Sequence, residues 1–421
     1  MPKKHYGWGP GQKPPIIEAH SSIKHELYEK YLFTYVDRLT RFIPQEKLVL
    51  TVVDGFCGGG LYQDHGQIIH GSPLRLLYAM EAAQLQRSQQ SRKGFHIDAH
   101  FYFVDCKKQN LGYLREQLIH QGFGARIDKS IFLVHSAFDA ASPQIIRAIK
   151  QRRGGERALF LLDQYGWSHV SFKVLRTIFQ ELKNPEIILT FAVDFLIDYL
   201  SPTSSKLDAS LAAIDIDRKR VEELIALKGS VAARGLIQNF LYKHVIEYTG
   251  ASFYSPFFLH SNGSNKDLWL IHLSQHRQAR EEMGKIHWDL GNASSHHGRY
   301  GFNSLGFKPH LDWHQQLLDF TFTDEDWDQS GNAVLEQLPG LLESMNRPAT
   351  VEELFSSNCN DTPVVLDIVN EQLAHLRDYD EVVIKSVTGS LRSRTSTFDW
   401  SDRVELNPQR TLFSVPAFVR R

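Results

Sequence analysis

Through its first half the chain alternates short apolar runs, rich in β-branched residues, with stretches whose apolar positions recur at helical spacing. Ile23, Leu27, Tyr31, Leu32, Tyr35, Val36 and Leu39 mark a first helix, with Ser21 or Ser22 as its cap. Leu48 to Val53 is a run of the kind that forms a fully buried parallel strand, and it stops at Asp54-Gly55. After a glycine-rich turn, Gly71-Ser72-Pro73 opens a helix over Leu74 to Gln86, with Pro73 suited to a first helical turn. Phe101 to Val104 is a second strand ending at Asp105, followed by a helix over Leu111 to His120. Ile131 to Val134, Ala158 to Leu162 and Glu186 to Val193 continue as strands, separated by helical stretches at Pro143 to Lys150 and Phe172 to Leu182. Repeated βα units of this size predict an α/β fold with a doubly wound parallel sheet covered on both faces.

Beyond the fifth strand, Ser201 to Ser205 is a turn-rich break, and Leu207 to Leu227 and Val231 to Thr249 predict a helical insertion over about 205–250. Asp267 to Leu273 is a later strand that returns to the sheet, and Gly291 to Lys308 shifts to Gly, Asn, Ser and His, as a loop does. The expected organisation is a helical lead-in over 1–45, a main domain over 46–290, a linker over 291–311 and a smaller C-terminal α+β domain over 312–421. In that last segment, helices precede the runs Val382-Val383-Ile384-Lys385 and Arg403-Val404-Glu405-Leu406, an order that resembles a winged helix.

Composition narrows the class. With 42% hydrophobic and 23% charged residues in 421, the chain is globular, and no apolar run is long enough to cross a bilayer. Its first residues lack a signal-peptide core, so a cytoplasmic location without membrane attachment is expected. Cys57, Cys106 and Cys359 lie far apart, without CxxC spacing, which argues against a disulfide framework and a zinc ribbon. A net charge of −1 provides no chain-wide footprint for nucleic acid, so such a site must be local. Residues 381–421 carry seven Lys/Arg against four Asp/Glu, a modest basic excess that a solvated surface explains equally well. His272 and His276 are four apart but lack a zincin glutamate and begin in a strand-like run, so no metal is expected.

The candidate chemistry lies at the strand ends. Val52-Val53-Asp54-Gly55-Phe56-Cys57-Gly58-Gly59-Gly60 runs from a buried strand into glycines, which permit a sharp turn and close approach of a ligand. A P-loop would need a Gly-Lys-Ser/Thr ending, and a strict G-x-G-x-x-G fails at Tyr62 and Gln63. Asp54 suits the amino group of a methionine moiety, with Gly55, Gly58 and Gly60 lining the ligand; an ordinary glycine-rich βα turn is the plainer reading. Asp105 stands where such folds bind ribose hydroxyls, whether of S-adenosylmethionine or NAD. Ser136 or Asp139, after the third strand, would approach an adenine or else cap a helix. Asp163, with Tyr165 and Trp167 close behind, would accept a hydrogen bond from a substrate amino group while an aromatic stacks on its ring; the alternative is a helix cap with core aromatics.

His20 to Tyr31, Asp54 to Tyr62, Gly71 to Leu74, Asp163 to Trp167, Thr190 to Asp194 and Leu268 to Gln275 together resemble the three-Cys-motif partner protein family over about residues 16–290. That resemblance implies a Rossmann-like, class I methyltransferase-like fold, bacterial or phage origin, and a radical-S-adenosylmethionine-like protein as partner. The glycine turn followed by Gly-Ser-Pro is also similar to the ribosomal-RNA adenine-N6 methyltransferases, which implies S-adenosylmethionine at Asp54, Gly58 and Gly60 and the target amino group at Asp163. Gln164 and Tyr165 stand where that family has two prolines, and Gly166 where it has an aromatic. Three functions follow as expectations: a methyltransferase acting on DNA or RNA, a non-catalytic adapter that keeps the fold, and, disfavoured by Asp54 and the missing G-x-G-x-x-G, an NAD-dependent oxidoreductase.

Overall fold

The structure, a computed structural model, describes residues 6–9, 11–41, 46–90, 94–155, 157–164, 166, 168–192, 210–217, 219–220, 222–223, 233–261, 266–291, 294–296, 300–302, 304, 318–320 and 322–408. The chain divides into two compact units, one formed by residues 1–229, 242–252 and 256–282, the other by 230–241, 253–255 and 283–421.

In the first unit α1 (Ala19–Thr40) precedes β1 (Lys47–Asp54), and a hairpin, β2 (Leu61–Asp64) and β3 (Gln67–His70), intervenes before α2 (Ser72–Gln90). Then follow β4 (His96–Asp105), α3 (Lys108–His120), β5 (Ile131–His135), α4 (Phe138–Gln151), β6 (Arg157–Leu162), α5 (Phe172–Glu181) and β7 (Asn184–Phe191). After α6 (Ala233–Thr249) come β8 (Phe253–Ser261), β9 (Lys266–Ser274) and α7 (Arg277–Leu290). A seven-stranded sheet runs β5-β4-β1-β6-β7-β9-β8. β5, β4, β1, β6 and β7 are parallel, and β9 is antiparallel to β7. This is the doubly wound, Rossmann-like order extended by a reversed strand, the class I methyltransferase-like arrangement. β1, β6 and β7 are buried almost throughout, as parallel strands between two helical layers must be.

α1 begins before the expected caps: the Ser21 and Ser22 N–H groups donate to the Glu18 carbonyl inside its first turn. Its inner face buries Leu27, Tyr28, Tyr31, Leu32, Tyr35 and Val36. Of the expected insertion, Ala233–Thr249 is helical, while 207–209, 218, 221 and 224–232 lie outside the described residues. The four-apart histidines share no helix face. His272 is buried in β9, bonded to Tyr31 and Glu186, while His276 precedes α7. Among the described residues no cluster of metal-ligating side chains occurs, and no helix is long and apolar enough to cross a membrane.

The second unit holds a short strand pair, β10 (Ser294–His296) with β11 (Leu318–Phe320), partly where a loop was expected. There follow α8 (Asp324–Met345), β12 (Ala349–Thr350), α9 (Val351–Ser356), α10 (Leu366–Asp378), β13 (Val382–Lys385) and β14 (Arg403–Leu406). Capping boxes at Thr323–Asp326 and Thr350–Glu353 start α8 and α9. The strands pair as β12-β14-β13. Helix, strand, two helices and two strands make an α+β unit in the element order expected of a winged helix, closed over Val334, Leu338, Leu354, Ile368, Leu373 and Ile384. α10, which such folds use to read a groove, buries Ile368, Asn370, Gln372, Leu373 and Leu376.

Candidate functional site

β1 lies at the point where the strand order reverses, between β4 and β6, so the crevice beyond its carboxyl end is the ligand position of an open α/β sheet. Asp54 closes β1 and pairs in register with Phe103 of β4 and Leu161 of β6. Asp105 and Asp163 stand two residues further along those neighbours, so the three carboxylates converge on one rim.

Asp54 faces inward. Its side chain is 2% exposed, accepting from Ser72 Oγ at 2.6 Å and from the Phe56 N–H at 3.2 Å. Burial pushes its carboxyl up to about 7 against the pull of those two donors. It therefore ties the turn to the start of α2. Gly58 and Gly60 take positive φ values of 60° and 82°, and the Gly71 N–H donates to the Gly60 carbonyl at 2.8 Å, closing the loop around the β2–β3 hairpin. Gly55 has no room for a Cβ, which would meet Leu162 at 2.7 Å and Phe138 at 2.9 Å.

Asp105 accepts from the Gly58 N–H at 3.2 Å, the Lys107 N–H at 2.6 Å and Asn110 Nδ2 at 3.0 Å. A carboxylate offers about four acceptor directions, so it holds the turn against β4 and keeps capacity for a ligand hydroxyl. Ser136, just past β5, donates its hydroxyl to the neighbouring Ala137 carbonyl at 3.0 Å and its N–H to the Asp105 carbonyl at 3.2 Å. Asp139 instead braces α5, accepting from the Ser171 N–H at 3.2 and 3.3 Å.

Asp163 is gripped from α1. Lys24 Nζ donates to its two oxygens at 2.6 and 2.7 Å, and Thr190 Oγ1, from β7, donates at 2.7 Å. Burial alone would raise this carboxyl, but the Lys24 ammonium and the hydrogen bonds from Lys24 and Thr190 hold it below the usual carboxylate range. His25 is pushed down to about 3 by burial and stays neutral beside the pair. Gln164 Oε1 accepts from the His169 and Val170 N–H groups at 2.9 and 3.0 Å and so shapes the following loop. Tyr165 and Trp167 lie outside the described residues.

Sequence reasoning missed Lys24, Ser72, Asn110 and Trp8. The signal for Lys24 was present: it falls on the apolar stripe of α1 with Tyr28, Tyr31 and Tyr35, where a cation must find a buried anion. Trp8 is buried against the glycine turn. A Cβ on Gly58 would meet its Cη2 at 2.7 Å, and one on Gly59 would overlap the indole more deeply. For S-adenosylmethionine, the donors and acceptors at the tip of β4 fit a nucleoside, whereas the space left by Gly58 and Gly59 is filled by this indole.

No protein-family model and no curated protein matches the chain. Among solved structures it is similar to protein LPL1258 of Legionella pneumophila (12% identity, 60% of this chain and 85% of that one, TM-score 0.33). It is also similar to a SAM-dependent methyltransferase of Agrobacterium tumefaciens (10%, 62% and 63%, TM-score 0.31). A third is an rRNA methylase of Streptococcus thermophilus (12%, 62% and 99%, TM-score 0.26). At these values the fold assignment rests on the strand order of the chain itself.

Proposed function

We propose that this chain is an S-adenosylmethionine-dependent methyltransferase acting in the cytoplasm on an amino group of nucleic acid, adenine-N6 in type, and that it belongs with the three-Cys-motif partner proteins. The observation that carries the reading is the pair of carboxylates flanking the switch point: Asp105 bonds the glycine turn and retains acceptor capacity, and Asp163 is kept ionised by Lys24.

When bound, S-adenosylmethionine would supply a methyl group on a sulfonium. Asp105 would hold a ribose hydroxyl, with Ser136 near the base. Asp54, bonded to Ser72, would shape the turn from behind. Asp163 has one Oδ2 direction left beyond its Lys24 bond and would accept from the amino group, aiming the nitrogen lone pair. Tyr165 or Trp167 would stack on the ring. Such a site works by alignment, with no strong base needed. The winged-helix unit would meet the nucleic acid with its wing, because α10 is largely buried and carries Asp367, Glu371 and Asp378.

One observation favours a second reading, an adapter that keeps the fold and works beside a radical-S-adenosylmethionine-like protein: Trp8 occupies the glycine turn. Methyl transfer from labelled S-adenosylmethionine into cellular RNA and DNA separates the two. The enzyme reading expects label that disappears in Asp163→Asn; native protein that binds S-adenosylmethionine yet labels no nucleic acid supports the adapter.

A further inference from the structure

Residues Tyr6–Gly9 lie across the two features that define the cofactor crevice. Trp8 is 3% exposed and donates from Nε1 to the Leu61 carbonyl at 2.6 Å, just past the glycine turn. Its ring rests on Gly58 and Gly59. Tyr62 packs edge-on against Trp8, with centroids 5.3 Å apart, and against Tyr6 at 5.4 Å. On the other side, Lys107 Nζ, two residues past Asp105, donates to the Tyr6 carbonyl at 3.2 Å, and a Cβ on Gly9 would meet Gln109 Nε2 at 2.5 Å. The segment thus spans from the β1 turn to the β4–α3 loop. The bare backbone of Gly58 and Gly59, which would admit a ligand, admits the chain's own indole.

We propose that Tyr6–Gly9 is the movable wall of the cofactor site and that Trp8 is its latch. The inference rests on the reading of this crevice as an S-adenosylmethionine site and adds how the site opens. A nucleoside reaching from Asp105 to the turn must pass under this segment, so binding and release require Trp8 to leave Gly58 and Gly59 and then reseat. The segment's ties include the indole hydrogen bond, the lysine to a backbone carbonyl, the Gln12 N–H donated to the Gly9 carbonyl at 3.1 Å, and ring contacts. A segment held this way opens locally while the sheet stays intact.

The test uses the full chain and S-adenosylhomocysteine as probe, with association and dissociation followed by stopped flow and amide exchange of Tyr6–Gly9 followed by mass spectrometry. Trp8→Ala is expected to speed dissociation about tenfold, Lys107→Ala, at an exposed anchor, about threefold, and bound probe is expected to slow exchange across Tyr6–Gly9. Lys107→Ala keeps the test valid should Trp8→Ala fail to fold. Native protein that binds no probe while Trp8→Ala binds it would also support the wall, as one that stays shut. Unchanged rates in folded variants, together with unchanged exchange on probe binding, would overturn the wall and leave the cofactor reading standing. Absence of binding in native protein and every variant would overturn both.

Discussion

Lys24 on α1 and Asp163 at the tip of β6 form an ion pair across 139 residues of sequence, the ammonium reaching both carboxylate oxygens. The pair pins the first helix over the crevice and fixes the carboxylate on which substrate recognition is proposed to depend. Lys24 is almost wholly buried, while about a quarter of the Asp163 side chain, 26%, meets solvent. Removing the cation should therefore cost less than the roughly 3–5 kcal/mol of a fully enclosed pair. Lys24→Met is expected to lower unfolding free energy in urea by about 2–3 kcal/mol, and Lys24→Met with Asp163→Asn by less than the sum of the two single changes. Additive losses would mean that the two side chains act independently.

Asp54 makes stability depend on pH in the opposite sense to a salt-bridged acid. Its folded carboxyl is raised to about 7 from an ordinary 3.8, so the folded state binds the proton more tightly than the unfolded chain. The stabilisation is fully present below about pH 4 and is lost as pH rises toward 7. Native protein should thus lose up to about 4 kcal/mol relative to Asp54→Asn between those limits. Urea titrations of both proteins at intervals across that range check it, and parallel curves would place the Asp54 titration elsewhere.

How much of this was legible in sequence depends on whether a residue declares itself through its neighbours. Asp54, Asp105 and Asp163 were readable because each ends or follows a short buried run, and the parallel order places such ends on one rim. The β2–β3 hairpin was not read, although His65 and Gly66, both at positive φ, form the two-residue turn that favours it. β8 was missed because Pro256 interrupts it, which its place at the edge of the sheet permits. The β6–α5 loop delivers the Ser171 N–H to Asp139, a long-range pairing with no local signature. Trp8 lies in a segment without periodicity, so nothing beside it pointed to Gly58 and Gly59.

The indole seat makes a sharp prediction at Gly59. No positive φ restricts this glycine, so only space excludes a side chain, and that space belongs to Trp8. Gly59→Ala should destabilise the chain by about 1–3 kcal/mol through overpacking. In a Trp8→Gly background, which removes both the indole and the residue-8 Cβ that would lie 2.7 Å away, the same change should cost almost nothing. A double-mutant cycle by thermal or urea unfolding measures the difference, and an equal cost in both backgrounds would show that the indole is not what the alanine meets.

On the proposed reading, a ligand and the fold would share the one carboxylate of Asp105. Its bonds to the Gly58 and Lys107 N–H groups and to Asn110 set the turn against β4, leaving a single acceptor direction for a ribose. Asp105→Asn replaces one acceptor oxygen with a donor, so it should weaken S-adenosylhomocysteine binding at least about tenfold, the scale of losing a charge-assisted hydrogen bond. Asn110→Ala removes one of the groups that orient the carboxylate and leaves both oxygens in place, so its loss should be smaller, roughly threefold. Calorimetric titration of the three proteins, with melting curves to confirm that each is folded, tests this order. Equal affinities for native protein and Asp105→Asn would move the nucleoside away from β4.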